Sequence, residues 1–264
     1  MTQPQNIYDN PEFFQGYREL RESGSSLNNI LEQPALWSML PASLTGMRVL
    51  DLGRGFGNFA RKARQGGARQ VLGIDISKQM LAYARELTLD DGIQYRRASI
   101  EALDLGSQRF DLTVSSLALH YVRNYAAAVV RVALLLKERG RFVFSVEHPI
   151  CTAMAQQQWT RDDAGQALSW PVDQYQSEGE RQTKWFVDKV AKYHRTIETY
   201  VSVLIENGFC LRGLREPKPA VATSPLIPDL DLHRRRPPFL VLSADLQSAS
   251  PRNEQATNHN RRSA

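Results

Sequence analysis

Strands and helices alternating at short pitch between residues 47 and 146 predict an α/β domain: a parallel sheet with helices on both faces, joined by right-handed crossovers. Two further observations predict the same class. Residues 47–52 form a short run with four apolar residues of six, which reads as a buried strand, and they run straight into a glycine-rich turn and a helix. The chain has 264 residues, 42% hydrophobic and 23% charged, enough to bury a sizeable core in one domain.

The elements follow in order. Leu27, Ile30, Leu31, Ala35, Leu36 and Met39 mark a helix interrupted near Pro34. The first strand is Met47–Leu52. Phe56, Phe59, Ala60 and Ala63 recur at helical spacing until Gly66-Gly67 ends the run. Gln70–Ile74 is a second strand, and Ser77 can cap the next helix, whose Met80, Leu81, Ala84 and Leu87 share a face. Ile93–Arg97 and Phe110–Val114 are strands three and four. Leu117–Val122 and Tyr125–Leu136 read as helical, and Gly140–Val146 as the fifth strand. Past Pro149, residues 151–193 are polar, turn-rich and hold Trp159, Trp170 and Trp185. A helix with Ile197, Tyr200, Val201, Leu204 and Ile205 on one face stops at Asn207-Gly208. Phe209–Leu214 and Phe239–Ser243 are the final strands, and the polar stretch from Asp245 reads as disordered. The expected organisation is an N-terminal helical cap at 1–46, a main domain at 47–244 with an insertion at 151–193, and a tail at 245–264.

Several classes are excluded or disfavoured. The longest apolar stretch, Ala126–Leu136, is too short to span a bilayer and carries Arg131. The first six residues offer no cationic start and no apolar run, so no export signal is expected and the cytoplasm is the expected location. Two cysteines, Cys151 and Cys210, imply neither a disulfide framework nor a zinc site, and no metal is expected. The net charge of +5 comes partly from arginines at 234–236, 252, 261 and 262. No long basic stripe interleaved with aromatics accompanies them, so nucleic acid is not a favoured partner.

The segment carrying chemistry is Val49-Leu-Asp-Leu-Gly-Arg-Gly-Phe-Gly-Asn-Phe59. Gly53, Gly55 and Gly57 let the backbone turn sharply and let a ligand approach the main chain. The helix that follows offers free N–H groups to an anionic ligand group. Dinucleotide enzymes use such turns too, but Asp51 ahead of the glycines would repel a pyrophosphate and attract an amino group. Asp75 ends the second strand about 20 residues later, where a carboxylate can accept from both hydroxyls of a ribose; capping the next helix is its plainer use. Ser99 and Ile100 follow the third strand and Ser115–Leu117 the fourth, all at the edge where open α/β sheets bind ligands. For Ser99 a simple helix cap is an equal alternative.

These motifs resemble the class I S-adenosylmethionine-dependent methyltransferases of the type 11 group. The resemblance runs from about Ile7 to Ala244. It rests on VLDLGxGxG at 49–57, GIDIS at 73–77, SIEAL at 99–103, FDLTVSSLALHYV at 110–122, GRFVFSVEHPI at 140–150 and YHRTIETYVSVLIENGF at 193–209. It implies a Rossmann-like, doubly wound sheet of seven strands, mostly parallel, whose last strand runs antiparallel. It also implies that Gly53, Gly55 and Gly57 cradle the methionine moiety of S-adenosylmethionine and that Asp51 orders its amino end. Asp75 would hold the ribose, Ile76 one adenine face, and Ser99 and Ile100 the adenine edge. Ser115 and Leu117 would line the floor near the sulfonium, and Tyr8 and Tyr17 would belong to a segment covering the cofactor. Two residues depart from the family pattern. Arg54 stands inside the glycine turn where a small residue is usual, so cofactor binding is expected to be weakened but not lost. Ser99 stands where Asp is common.

Methyl transfer needs a positioned acceptor and, for a hydroxyl or amine, removal of a proton. His120 and His148 follow strands four and five, where a base or a substrate ligand would face the methyl group; capping or partly buried imidazoles bonded to backbone are the alternative. His194 is a weaker candidate. The three indoles of the insertion suit a flat or apolar small-molecule acceptor, or else anchor the insertion to the core. The alternatives are a tRNA or protein methyltransferase, and a catalytically idle cofactor-binding or scaffold protein, which Arg54 suggests.

Overall fold

The computed structural model describes residues 5–24, 26–220 and 229–248. In chain order the strands are β1 (Arg48–Leu52), β2 (Gln70–Asp75), β3 (Ile93–Arg97), β4 (Phe110–Ser116), β5 (Leu136–Glu147), β6 (Thr160–Arg161), β7 (Ala167–Ser169), β8 (Gly179–Trp185), β9 (Val187–His194), β10 (Phe209–Arg215) and β11 (Phe239–Leu246). The main sheet has seven of them in the order β10-β11-β5-β4-β1-β2-β3. The β1–β2, β1–β4, β2–β3 and β4–β5 pairs are parallel, and β11 runs antiparallel to both its neighbours.

Alternation along each strand feeds two cores. Leu50, Leu52, Leu72 and Ile74 point to the face covered by α5 (Tyr125–Leu135) and α7 (Ile197–Glu206), where Tyr125 and Tyr200 pack. Val49, Val71, Leu112 and Val143 point to the other face, against α2 (Gln33–Ser38) and α3 (Asn58–Gln65). Helix starts follow local chemistry. Ser77 accepts from Met80 N at 3.1 Å ahead of α4 (Lys78–Glu86), Asn124 from Ala127 N at 2.9 Å, and Thr196 from Thr199 N at 3.1 Å.

Several boundaries differ from expectation. Leu117–Val122 is not an α-helix: Leu117 sits at φ +50° and only a 3₁₀ turn, Leu119–Tyr121, follows. The cause is tertiary, since Leu117 N–H donates to the backbone oxygen and hydroxyl of Ser145 on β5. β5 begins at Leu136, because residues 137–140 bulge between the Phe110–Leu136 and Leu112–Arg141 pairs. The insertion is structured: after a short α6 (Pro149–Thr152) come two hairpins, β6–β7 and β8–β9. β11 continues through Asp245, whose carboxylate pairs with Arg141 and Arg212 at 2.7 Å, so the strand passes the expected start of the tail; residues 249–264 lie outside the described residues. Ahead of the sheet, a 3₁₀ turn (Ile7–Asp9), α1 (Pro11–Glu22) and a π-helix (Asn28–Glu32) precede α2. Among the described residues no helix is long and apolar enough to cross a membrane.

Candidate active site

A cavity of about 430 Å³ opens at the carboxyl edge of the sheet, beneath the N-terminal segment. Asp51, Gly53, Gly55, Asp75, Ile76, Ser99, Ile100, Leu117, Tyr17 and His120 all line it. The glycine turn forms one wall. Gly53, Gly55 and Gly57 lie at φ +71°, +53° and +74°, a backbone that side chains rarely adopt. At Gly53 an added Cβ would also stand 2.2 Å from the Ala118 side chain. Gly57 ends the turn as the left-handed cap of α3.

Two carboxylates flank the turn. Asp51 on β1 is buried, and its Oδ2 has no hydrogen-bond partner. Burial pushes its pKa up to about 7; the charge of Arg54 opposes this shift and that of Asp75 adds to it. A buried carboxylate oxygen without a partner, open to a ligand cavity, is matched to a cationic donor. Asp75 at the end of β2 accepts from Gly55 N at 3.0 Å and from Ser77 N at 2.9 Å. Burial raises its pKa against those hydrogen bonds and the Arg54 charge. Each of its oxygens keeps a lone pair for a ligand hydroxyl.

Arg54 does not crowd the turn in the way the sequence suggests. Its side chain runs under β2 to Gly73, donates to Gly55 O at 3.1 Å and Met80 O at 3.2 Å, and lies 3.8 Å over the Tyr95 ring. It is buried there, and no ion pair joins it to Asp51 among the described residues. The guanidinium braces the back of the turn.

The remaining predicted residues divide. Ser99 lines the cavity, but its hydroxyl oxygen accepts from Glu101 N at 3.2 Å, the local turn contact that was its alternative. Ser115 does not line the cavity: its hydroxyl is buried and donates to Leu52 O at 3.0 Å, tying β4 to β1. Its neighbour Ser116 takes the lining position. His148 also lies outside. It is fully buried, accepts from Ile150 N at 3.1 Å to cap α6, and meets Glu216 at 2.8 Å. His194 is held by Thr152 and the Tyr175 carbonyl, each at 2.9 Å.

The other end of the cavity is aromatic. Tyr8 meets Tyr17 edge-on at 5.2 Å and Tyr121 at 6.1 Å, and Tyr17 meets Trp185 at 6.0 Å. Trp185 comes from β8 and packs on Phe13 of α1, so the hairpin and the N-terminal segment close over the cavity together. Trp159 and Trp170 lie elsewhere, stacked with Arg235 and Arg236.

Two residues escaped the sequence reading. Glu147 ends β5 and lines the cavity; it accepts from Lys192 Nζ at 2.6 Å and from Gln157 Nε2 at 3.3 Å. Burial would raise its pKa, but the charge of Lys192 and the hydrogen bonds from Lys192 and Gln157 hold it below the usual glutamate value. Lys192, on β9, is itself buried. The available signal was an acid directly following the apolar run Phe142–Val146, just where a ligand-bearing edge begins.

Residues 50–144 match the family model of a methyltransferase domain. A solved S-adenosylmethionine-dependent methyltransferase from Mesorhizobium loti is 43% identical, covers 84% of this chain and 98% of its own, and superposes with a TM-score of 0.76. An uncharacterized protein from Haemophilus influenzae is 33% identical over 90% of this chain and 96% of its own. A malonyl-[acyl-carrier protein] O-methyltransferase from Pectobacterium atrosepticum is 34% identical over half of each chain. The fold and the glycine-carboxylate site thus define an S-adenosylmethionine-dependent transferase. The chain belongs to the class I methyltransferases of the type 11 group, an enzyme family whose cofactor is S-adenosylmethionine.

Proposed function

We propose that this enzyme methylates a small molecule bound at the aromatic end of the cavity. The observation that carries the cofactor half is Asp51, a buried carboxylate with an unpartnered oxygen beside the glycine turn. Asp51 would hold the cofactor's ammonium, while Gly53 and Gly55 would border its methionine part; Gly57, expected beside them, does not line the cavity and shapes the turn as the cap of α3. Asp75 would take the ribose hydroxyls with the lone pairs that Gly55 and Ser77 leave over. Ile76 and Ile100 would sandwich the adenine near Ser99, and Leu117 would stand by the sulfonium. When bound, S-adenosylmethionine supplies a methyl group already activated on sulfur, so the chain's own task is to orient the acceptor and exclude water. Tyr8, Tyr17, Tyr121 and Trp185 suit that task, since they close the cavity with apolar faces. An aromatic-walled cavity beneath the N-terminal segment favours a small acceptor over tRNA or a protein surface. The two unpaired thiols suit a cytoplasmic location.

Calorimetry with S-adenosylhomocysteine tests the cofactor half, and a labelled-methyl screen of small molecules, bulk tRNA and protein tests the acceptor half. Binding of S-adenosylhomocysteine with methyl transfer only to small molecules is expected. Transfer to tRNA with a steep salt dependence would refute the acceptor assignment, and no binding at all would favour an idle scaffold.

A further inference from the structure

Glu147, Lys192 and His120 form a charged and polar cluster at the acceptor end of an otherwise aromatic chamber. Lys192 is buried behind Glu147 and donates to Oε1, while Gln157 donates to Oε2. The carboxylate is therefore kept ionised, and its side chain remains 21% exposed, on the cavity side. His120 Nδ1 accepts from Glu147 N–H at 3.4 Å, which places the ring proton of the neutral tautomer on Nε2. That Nε2–H has no partner among the described residues, and His120 lines the cavity. Burial lowers the His120 pKa to about 4 against the charge of Glu147, so the ring is neutral at pH 7 and its Nε2–H is a donor. Of the two roles the sequence offered, base or substrate ligand, this arrangement suits the ligand.

A donor beside an anionic acceptor selects a group that can both accept and donate. We propose that the acceptor atom is the oxygen of an uncharged hydroxyl on a flat, apolar molecule, held between His120 Nε2–H and the Glu147 carboxylate, and that Glu147 receives the hydroxyl proton. This rests on the methyl-transfer reading above. In the step, the oxygen–methyl bond forms, the methyl–sulfur bond breaks with its pair left on sulfur, and the O–H proton passes to Glu147. A weakly basic carboxylate suffices here, because oxygen carrying both the new methyl and its old proton is strongly acidic. Other nucleophiles fit worse. An alkylammonium, with a pKa of about 10, stays protonated beside a fixed carboxylate and has no lone pair to attack with. A carboxylate acceptor meets the like charge of Glu147 inside a low-dielectric cavity.

The test uses naphthol, naphthoate and naphthylmethylamine, substituted at the same ring position, titrated by calorimetry onto the full chain saturated with S-adenosylhomocysteine. Binding of S-adenosylhomocysteine is measured first, so its failure sinks the cofactor reading and leaves this one separately identifiable. Naphthol is expected to bind at least about tenfold more tightly than naphthoate, the worth of one unfavourable charge contact, whereas naphthylmethylamine, whose ammonium is drawn to Glu147, is expected to bind but to take no labelled methyl group from S-adenosylmethionine. Glu147→Gln should bring naphthoate to within about threefold of naphthol, since the repelling charge is gone while the hydrogen-bonding shape remains. If Glu147→Gln does not fold because Lys192 is left without its counter-charge, E147Q/K192M serves in its place. Naphthoate binding more tightly than naphthol to the parent, methyl transfer to the amine, an unchanged gap between naphthol and naphthoate in the variant, or no binding of naphthol overturns the proposal.

Discussion

Replacing Arg54 by the small residue that the glycine turn usually carries is the sharpest test of how this site is built. The side chain makes two charge-assisted hydrogen bonds, to Gly55 O and Met80 O, and stacks on Tyr95. Those bonds contribute about 1.5 kcal/mol each, and the stacked guanidinium about 1 to 2 kcal/mol. Against them stands the desolvation of a buried cation, about 3 kcal/mol after relaxation. Arg54→Cys should therefore destabilise the fold by on the order of 2 kcal/mol, and lower Tm by roughly 4–8 °C in a chain of this size. The effect on binding follows from Gly55, whose carbonyl is fixed by Arg54 and whose N–H is aimed at Asp75. With the carbonyl released, affinity for S-adenosylhomocysteine should fall by about threefold to tenfold, less than 1.4 kcal/mol. Calorimetry on parent and variant, paired with a thermal melt, measures both numbers. A Cys variant that binds more tightly with an unchanged melt would refute the reasoning and show the guanidinium intruding on the ligand.

Four other outcomes are expected. Asp51 keeps its proton to about pH 7 in the fold against an ordinary 3.8, so its contribution to stability is full below that ordinary value and is lost as pH rises through 7, about 4 kcal/mol in all. Asp51→Asn should flatten that slope in pH-dependent melts, and should also abolish a tightening of S-adenosylhomocysteine binding of about tenfold in all between pH 6 and 8; a parent affinity that ignores pH would remove Asp51 from the ammonium site. Asp75→Ala should cost about 2 to 4 kcal/mol of cofactor binding by calorimetry, and unchanged affinity would take it out of the ribose site. Trp185→Ala should alter acceptor kinetics, whereas Trp159→Ala should lower Tm and leave them alone, because only Trp185 lines the cavity. His148→Ala should destabilise α6 by about 1 kcal/mol in a thermal melt with no selective loss of turnover; a lost turnover at full stability would return it to the chemistry.

What could be read from the sequence was whatever is local. A strand, three glycines and an acid at Asp51 lie within ten residues, and Asp75 ends the very next strand, so their meeting at one edge follows from parallel pairing alone. Arg54 could be flagged but not placed, since its resting position depends on Tyr95 and Gly73, supplied by neighbouring strands. Ser115 and Ser116 differ by a single step, and which of them faces the cavity is a matter of strand phase. The helix expected at Leu117–Val122 failed for a similar reason, because Ser145 captures the Leu117 amide across the sheet.

The acceptor end is harder still, because its defining contacts join residues far apart in the chain. Lys192 reaches Glu147 only because the β8–β9 hairpin pairs Thr183 with Val190 and Arg181 with Lys192, after a turn that holds Phe186 and Lys189 at positive φ. On β9 the inward positions are Val190, Lys192 and His194, with Ala191 and Tyr193 between them. A slip of one residue would turn the cation outward and leave Glu147 without its counter-charge. Nothing in the spacing of Trp159, Trp170 and Trp185 distinguishes the indole that closes the cavity from the two that stack on arginines. The same hairpin register decides that question too: it carries Trp185 onto Phe13 and, six residues on from Phe186, Lys192 onto the strand end. On the function proposed above, acceptor selectivity is therefore tied to the folding of the hairpin. A substitution that shifts its turn should change which molecules are methylated before it changes how the cofactor is held.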